Sequence, residues 1–186
     1  MGRLLCPARH CCLSTGITIT VSQPEYSLQV REAGAEFPGD FLPGTPLLTN
    51  WNSPFPITLS FSQALFGSVL QVEPGQVQDT PAPFTAYLSA YEGSTLLGTV
   101  SVSGTKSHSS DGSAPFIGVE ASCACITSEV VRVSVSTNGP YTGDLGVGPL
   151  SIQSAPEPPP SALLLVGLAM LAAWRFWPGR RKALWS

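Results

Sequence analysis

The chain has 186 residues, a formal net charge of −3, only 11% charged residues, and 18 each of Gly and Pro. Few charges with many Gly and Pro favour short strands joined by tight turns and disfavour a helical protein. Between Cys12 and Ser161 lie all 12 acidic residues and only three cations (Arg31, Lys106, Arg132), so this stretch carries −9 and lacks the basic surface that nucleic acid selects.

A secretory leader needs a basic start and an apolar core of about 7–15 residues. Met1 to Gly16 offers Arg3 and Leu4-Leu5, then Cys6-Pro7-Ala8-Arg9-His10-Cys11-Cys12, which contains neither that core nor a lipoprotein box. Residues 1–15 read as a misassigned start whose true leader is missing, in preference to an atypical export signal. The folded domain is expected to span 16–153.

Ile17, Ile19 and Val21 alternate with Thr18, Thr20 and Ser22, the pattern of a half-buried strand, and Tyr26 to Val30 repeats it. Gly34 to Pro56 reads as a long connector pinned by Phe37, Phe41, Leu47, Leu48 and Trp51. Trp51 is a ligand-stacking candidate, although covering one end of a sandwich is the more ordinary role of such a residue. Ile57 to Ser62 and Leu65 to Glu73 form two further strands. Phe84, Ala86, Leu88 and Ala90 alternate with Thr85, Tyr87, Ser89 and Tyr91, and a Gly93-Ser94 turn leads into Thr95 to Ser103. This is a β-hairpin, with Leu96, Val100 and Val102 expected to face inward. Lys106 to Ser113 reads as a polar loop. Pro115 to Glu120, Ile126 to Thr137 (with Val131, Val133 and Val135 in register) and Leu145 to Ile152 complete about nine strands. The expected fold is an all-β, antiparallel, jelly-roll-like sandwich.

Of five cysteines, Cys123 and Cys125 form a C-x-C pair. In an extended strand their Cα atoms would be about 6.5 Å apart, near the limit for a disulfide. A disulfide or two small buried residues are the expected roles; zinc would require a second ligand pair, and no metal site is assigned.

The tail has three successive parts. Residues 154–160 are a proline-rich spacer containing Pro156-Glu157-Pro158, residues 161–177 a short apolar segment, and residues 178–186 a basic end. Ala162 to Trp177 as helix is about 24 Å long at about 1.5 Å per residue, a marginal match to a hydrocarbon core of about 30 Å. Arg175 can snorkel, and Trp174 and Trp177 suit an interface. A short transmembrane helix is expected, with the cations at its end held in the cytoplasm and the domain outside.

Pro156, Glu157 and Pro158, the Leu163–Ala173 run and the Arg180-Arg181-Lys182 cluster together resemble the PEP-CTERM sorting signal of bacterial envelope proteins. The resemblance covers about 155–182. It implies membrane insertion, exosortase as the processing partner, and release to the cell surface or matrix, where such substrates are commonly linked to exopolysaccharide and biofilm. Arg175 within the apolar run and Leu184-Trp185-Ser186 beyond the cations depart from the pattern. The strand order is also loosely similar to lectin-like and carbohydrate-binding sandwiches.

Little catalytic chemistry is legible. His108, Ser109, Ser110 and Asp111 are neighbours in one loop, whereas a triad converges from separate rigid supports. Asp40, Asp79, Asp111 and Asp144 fall in expected loops and would suit calcium, but without an Asp-x-Asp spacing they read as solvated turn residues, and no cofactor is assigned. Tyr87 and Tyr91 share one strand face about 13 Å apart; they could stack on sugar rings or equally lie under a loop or the second sheet. The sequence therefore points to a non-catalytic, exported surface or matrix protein, with a displayed carbohydrate-binding module as the alternative and extracellular polysaccharide as its partner.

Overall fold

The computed structural model describes residues 16–24, 28–51, 53–75, 77, 80–136, 143–154, 164 and 167–171, and the backbone alone of 10–12. The chain divides into two compact units, Met1–Ala155 and Pro156–Ser186.

The first unit is all-β and antiparallel, and ten strands are described. They are β1 (His10–Cys12), β2 (Thr18–Ser22), β3 (Gln29–Glu32), β4 (Pro46–Thr49), β5 (Ile57–Pro74), β6 (Ala82–Glu92), β7 (Thr95–Lys106), β8 (Phe116–Glu120), β9 (Ile126–Val135) and β10 (Leu145–Ser154). The two strands expected on either side of residue 63 are one continuous strand of 18 residues. Its first half pairs with β2 and β9, and its second half with β10 and β8. Between the β9 partners of Ser60 and Leu65 the register shifts, leaving extra residues on β5. A strand with surplus residues on one side bends, and such a bend lets one strand serve two sheet layers. One layer is thus β1-β2-β5-β9-β6-β7 and the other β3-β4-β10-β5-β8, folded over each other like a sandwich.

The core lies between these layers. It gathers Ile17, Ile19 and Val21, Ile57, Leu59 and Phe61, Phe84, Ala86 and Leu88, Ile117, Val131, and Leu145 and Val147. These positions follow the period-2 alternation of their strands, as expected from the sequence. A smaller cluster of Ala33, Phe37, Phe41, Leu47 and Ala114 holds the connector after β3. That connector contains β4, which the sequence reading treated as loop; Pro46 interrupts the alternation there, yet β4 bonds to β3 and β10 on either side.

One inward assignment on β7 needs correction: Leu96 is 53% exposed, whereas Val100 keeps its inward direction at 37% exposure. A bulge between Ala90 and Tyr91 pairs Tyr91 with Leu96, so the extra residue Leu97 switches the alternation and turns Leu96 to the outer face. Val100 does face the core side, opposite Leu88, but β7 is the last strand of its layer and nothing described covers that margin.

In the second unit, Leu164 and residues 167–171 are helical, with Leu164, Leu168, Met170 and Leu171 exposed. Among the described residues no helix is long and apolar enough to cross a membrane. Most of the expected 161–177 span, the Pro156-Glu157-Pro158 motif and Arg180, Arg181 and Lys182 lie outside the described residues, as do the side chains of residues 1–15.

Candidate functional site

The aromatic candidates fall in two places. Trp51 follows β4 and is half-buried, with the Arg31 guanidinium of β3 stacked 3.7 Å from its ring centroid. Arg31 is itself fixed: its Nε and Nη2 donate to Gln29 Oε1 at 3.0 and 2.8 Å, and its Nη1 donates to the Glu36 carbonyl at 3.3 Å. One face of Trp51 is therefore occupied by protein.

Tyr87 and Tyr91 lie on β6 in the other layer, so they do not converge with Trp51. Both point away from the core, because their neighbours Ala86, Leu88 and Ala90 are buried. Cross-strand partners extend this outer face into rows of Leu96–Tyr91–Ser128, Thr99–Ser89–Val130, Ser101–Tyr87–Arg132 and Ser103–Thr85–Ser134. Ser89 Oγ and Thr99 Oγ1 are hydrogen-bonded at 2.8 Å, and Arg132 sits 4.1 Å over the Tyr87 ring. The result is a hydroxyl-rich sheet face carrying two aromatic rings and one cation.

The most structured polar site was not anticipated. Lys106, assigned to a polar loop from the sequence, is the last residue of β7 and 1% exposed. Its Nζ donates to the carbonyls of Pro74 and Gly75 at 2.8 and 2.7 Å and lies 3.6 Å from Glu73 Oε1 and 4.7 Å from the Phe37 ring centroid. Glu73 Oε2 accepts the Asp40 backbone N–H at 2.9 Å. Asp144 rests against Gly75: a Cβ on that glycine would stand 2.2 Å from Asp144 Oδ2. Burial raises the Glu73 pKa to about 7 against the opposing pull of the Lys106 ammonium. Burial likewise lowers that of Lys106, opposed by Glu73 and Asp144. Desolvation of a paired charge is partly offset in this way by its counter-charges.

Asp40 and Asp144 are accordingly not solvated turn residues, each being 1% exposed. Asp40 folds the loop after β7. Its Oδ2 accepts from Ser107 N at 2.7 Å, and its Oδ1 accepts from Ser109 N at 2.6 Å and Ser107 Oγ at 2.9 Å. Ser110 N donates to the Gly39 carbonyl at 3.0 Å. His108 and Ser110 have left-handed φ of 63° and 53°, which this clamp maintains. Asp111 is exposed and accepts the Ser113 N–H at 3.0 Å. His108, Ser109, Ser110 and Asp111 are thus parts of a turn wrapped on Asp40, and the loop presents no converging nucleophile, base and acid. Asp79 lies outside the described residues. Among the described residues no three His, Cys, Asp or Glu side chains are grouped to hold a metal ion.

A second buried acid was also missed. Glu129 pairs across β9 with Leu59 and Ala90, which places it on the same inward face as Val131. It is 0% exposed, and burial raises its pKa to about 7. Ser68 Oγ, from the opposite layer, donates to Glu129 Oε1 at 2.5 Å, while Glu129 Oε2 has no hydrogen-bond partner among the described residues. The period that puts Val131 and Val133 inward applies equally to Glu129, so the signal was present in the alternation. Asn50 is a third hub: its Nδ2 donates to the Ser53 and Phe55 carbonyls at 3.2 and 2.6 Å, and its Oδ1 accepts Leu145 N at 2.6 Å.

Cys123 and Cys125 are joined by a disulfide with Cα atoms 5.3 Å apart. The separation is shorter than in an extended strand because residues 121–125 bend between β8 and β9.

No family model matches the chain, and no curated protein does. A solved structure of TmCBM61 in complex with beta-1,4-galactotriose is similar over 74% of this chain and 88% of that one, at 15% identity and a TM-score of 0.37. At that level the similarity transfers neither topology nor ligand, and the fold and site above stand on strand pairings and contacts alone.

Proposed function

We propose that this chain is a non-catalytic bacterial envelope protein: a jelly-roll-like β-sandwich exported and presented through a PEP-CTERM-like tail that exosortase recognises. The observation that carries this is the order of parts around residue 156. The compact β unit ends at Ala155, and Pro156-Glu157-Pro158, an apolar run and an Arg-rich end follow immediately. A proline spacer sets a helix off from the domain before it, an apolar segment with terminal cations favours insertion with those cations inside, and a marginal length suits a transient signal. Residues 16–154 before it carry −8, compatible with life outside the cytoplasm. Mass spectrometry of the mature protein tests this. A C-terminus near 156–160 is expected; recovery of an intact Ser186 end from the cell surface would leave only a tail anchor.

A second function, carbohydrate binding by the displayed sandwich, is favoured by the outer face of β6. Tyr87 and Tyr91 stand there among serine and threonine hydroxyls, with rings for stacking and groups for hydrogen bonding to sugar. Binding of the intact protein to extracellular polysaccharide, lost in Tyr91→Ala and retained in Trp51→Ala, is the expected pattern. Absence of binding by the folded wild type removes this function and leaves the sorting tail untouched.

A further inference from the structure

Four strands among those described border only one neighbour in their layer. β1 has three residues, β3 has four including Arg31 and Glu32, and β8 has five including Glu120. Short length and charge are the usual means by which a sheet edge avoids pairing with another chain. β7 uses neither. It is 12 residues long, and Thr95 to Thr105 contains no charge and no proline; the one cation, Lys106, is turned inward and buried. Its first seven residues are exposed on both faces, and Leu96, Leu97 and Val100 are 53%, 42% and 37% exposed. Among the described residues, one bulge at Leu97 is the protection it has.

We propose that β7 is the interface at which two copies of this chain join, antiparallel and edge to edge about a two-fold axis. Three observations select a second copy as the occupant. First, residues 16–154 carry 11 acids against three cations, or −8, so an acid-bearing strand would be repelled, whereas β7 against its own copy places no charge opposite any charge in any register centred within Thr95–Thr105. Second, Gly98, Val100 and Val102 face the core side, opposite Ala90, Leu88 and Ala86. The same residues of a copy would continue that apolar layer and cover the exposed margin at Val100. Third, the described unit has one unprotected edge, so a two-fold pairing consumes it and assembly stops at two. Among the described residues no strand borders the outer side of β7, and its N–H and C=O groups there supply the ladder.

The test uses full-length protein in detergent, with the oligomeric mass taken by light scattering after subtracting the micelle. A dimer is expected for the wild type. Ser101→Lys, on an exposed outer position of the edge, is expected to shift the dimer–monomer midpoint at least tenfold toward monomer. Ser134→Lys, on the same face but on the interior strand β9, is expected to leave it unchanged. A photo-crosslinking residue at position 101 should capture β7 peptides of a second copy. A monomer at all concentrations, a dimer indifferent to Ser101→Lys, open-ended assemblies, or crosslinks to peptides outside β7 would each overturn the proposal.

Discussion

Lys106 Nζ stands 3.6 Å from Glu73 Oε1, with each side chain 1% exposed. The pair joins the end of β7 to the end of β5 in a place where neither charge reaches water. Breaking such a pair from one side leaves an uncompensated buried charge, which costs about 3–5 kcal/mol. Lys106→Met should therefore destabilise the fold by that amount in denaturant unfolding. Adding Glu73→Gln should recover most of the loss. A double variant as unstable as the single one would show that Lys106 acts through the Pro74 and Gly75 carbonyls instead.

Stability should fall as the solution becomes more alkaline. The Glu129 carboxyl has a pKa of about 7 in the fold against an ordinary 4.5. The folded state thus holds its proton more tightly, so its contribution is complete below pH 4.5 and is lost as pH rises through 7. At about 1.4 kcal/mol per decade, the loss is about 3 kcal/mol. Glu73 is displaced in the same direction and adds to it. Melting curves from pH 4.5 to 8 should show the decline, reduced in Glu129→Gln. Lys106 and His108, whose pKa values burial lowers, act with the opposite sign, so the Glu129 contribution is read from the difference between wild type and Glu129→Gln; the same pH dependence in both would mean that Glu129 takes up no proton on folding.

Two glycines should respond oppositely to alanine. A Cβ at Gly75 would meet Asp144 Oδ2 at 2.2 Å, whereas one at Gly98 has nothing within 4 Å. Gly75→Ala must push a buried carboxylate aside and is expected to cost about 2 kcal/mol or more, in the range of core overpacking. Gly98→Ala should be neutral or stabilising by up to about 1 kcal/mol through the unfolded chain. Equal effects in thermal unfolding would refute the packing described around Asp144.

The Cys123–Cys125 disulfide closes a very short loop. Chain entropy then gives it about 1–2 kcal/mol, well below what a long loop would provide. The Cys123→Ala/Cys125→Ala double variant should fold with a midpoint loss of that size. Failure to fold would show that the bridge sets the path from β8 to β9.

Much of the fold is visible in local alternation. Ile17, Ile19 and Val21, or Phe84, Ala86 and Leu88, announce their strands because burying one face of a strand imposes a period of two. The same rule fails at Leu96, where a one-residue bulge reverses the parity, and at β4, where Pro46 begins a strand too short to show a period. It was sufficient for Glu129 as well, but a glutamate at an inward position is intelligible only once Ser68 is seen facing it from the other layer.

By itself, then, the sequence determined an all-β unit of alternating strands and a proline, apolar and basic series in the tail, since both depend on neighbours in the chain. Tertiary structure alone decided that β5 serves two layers, that β7 ends a layer unprotected, and that Lys106 is buried. A lysine written into a polar stretch becomes a core residue only where Glu73, Asp40, Asp144 and two carbonyls, drawn from distant segments, meet around it and replace the water it loses.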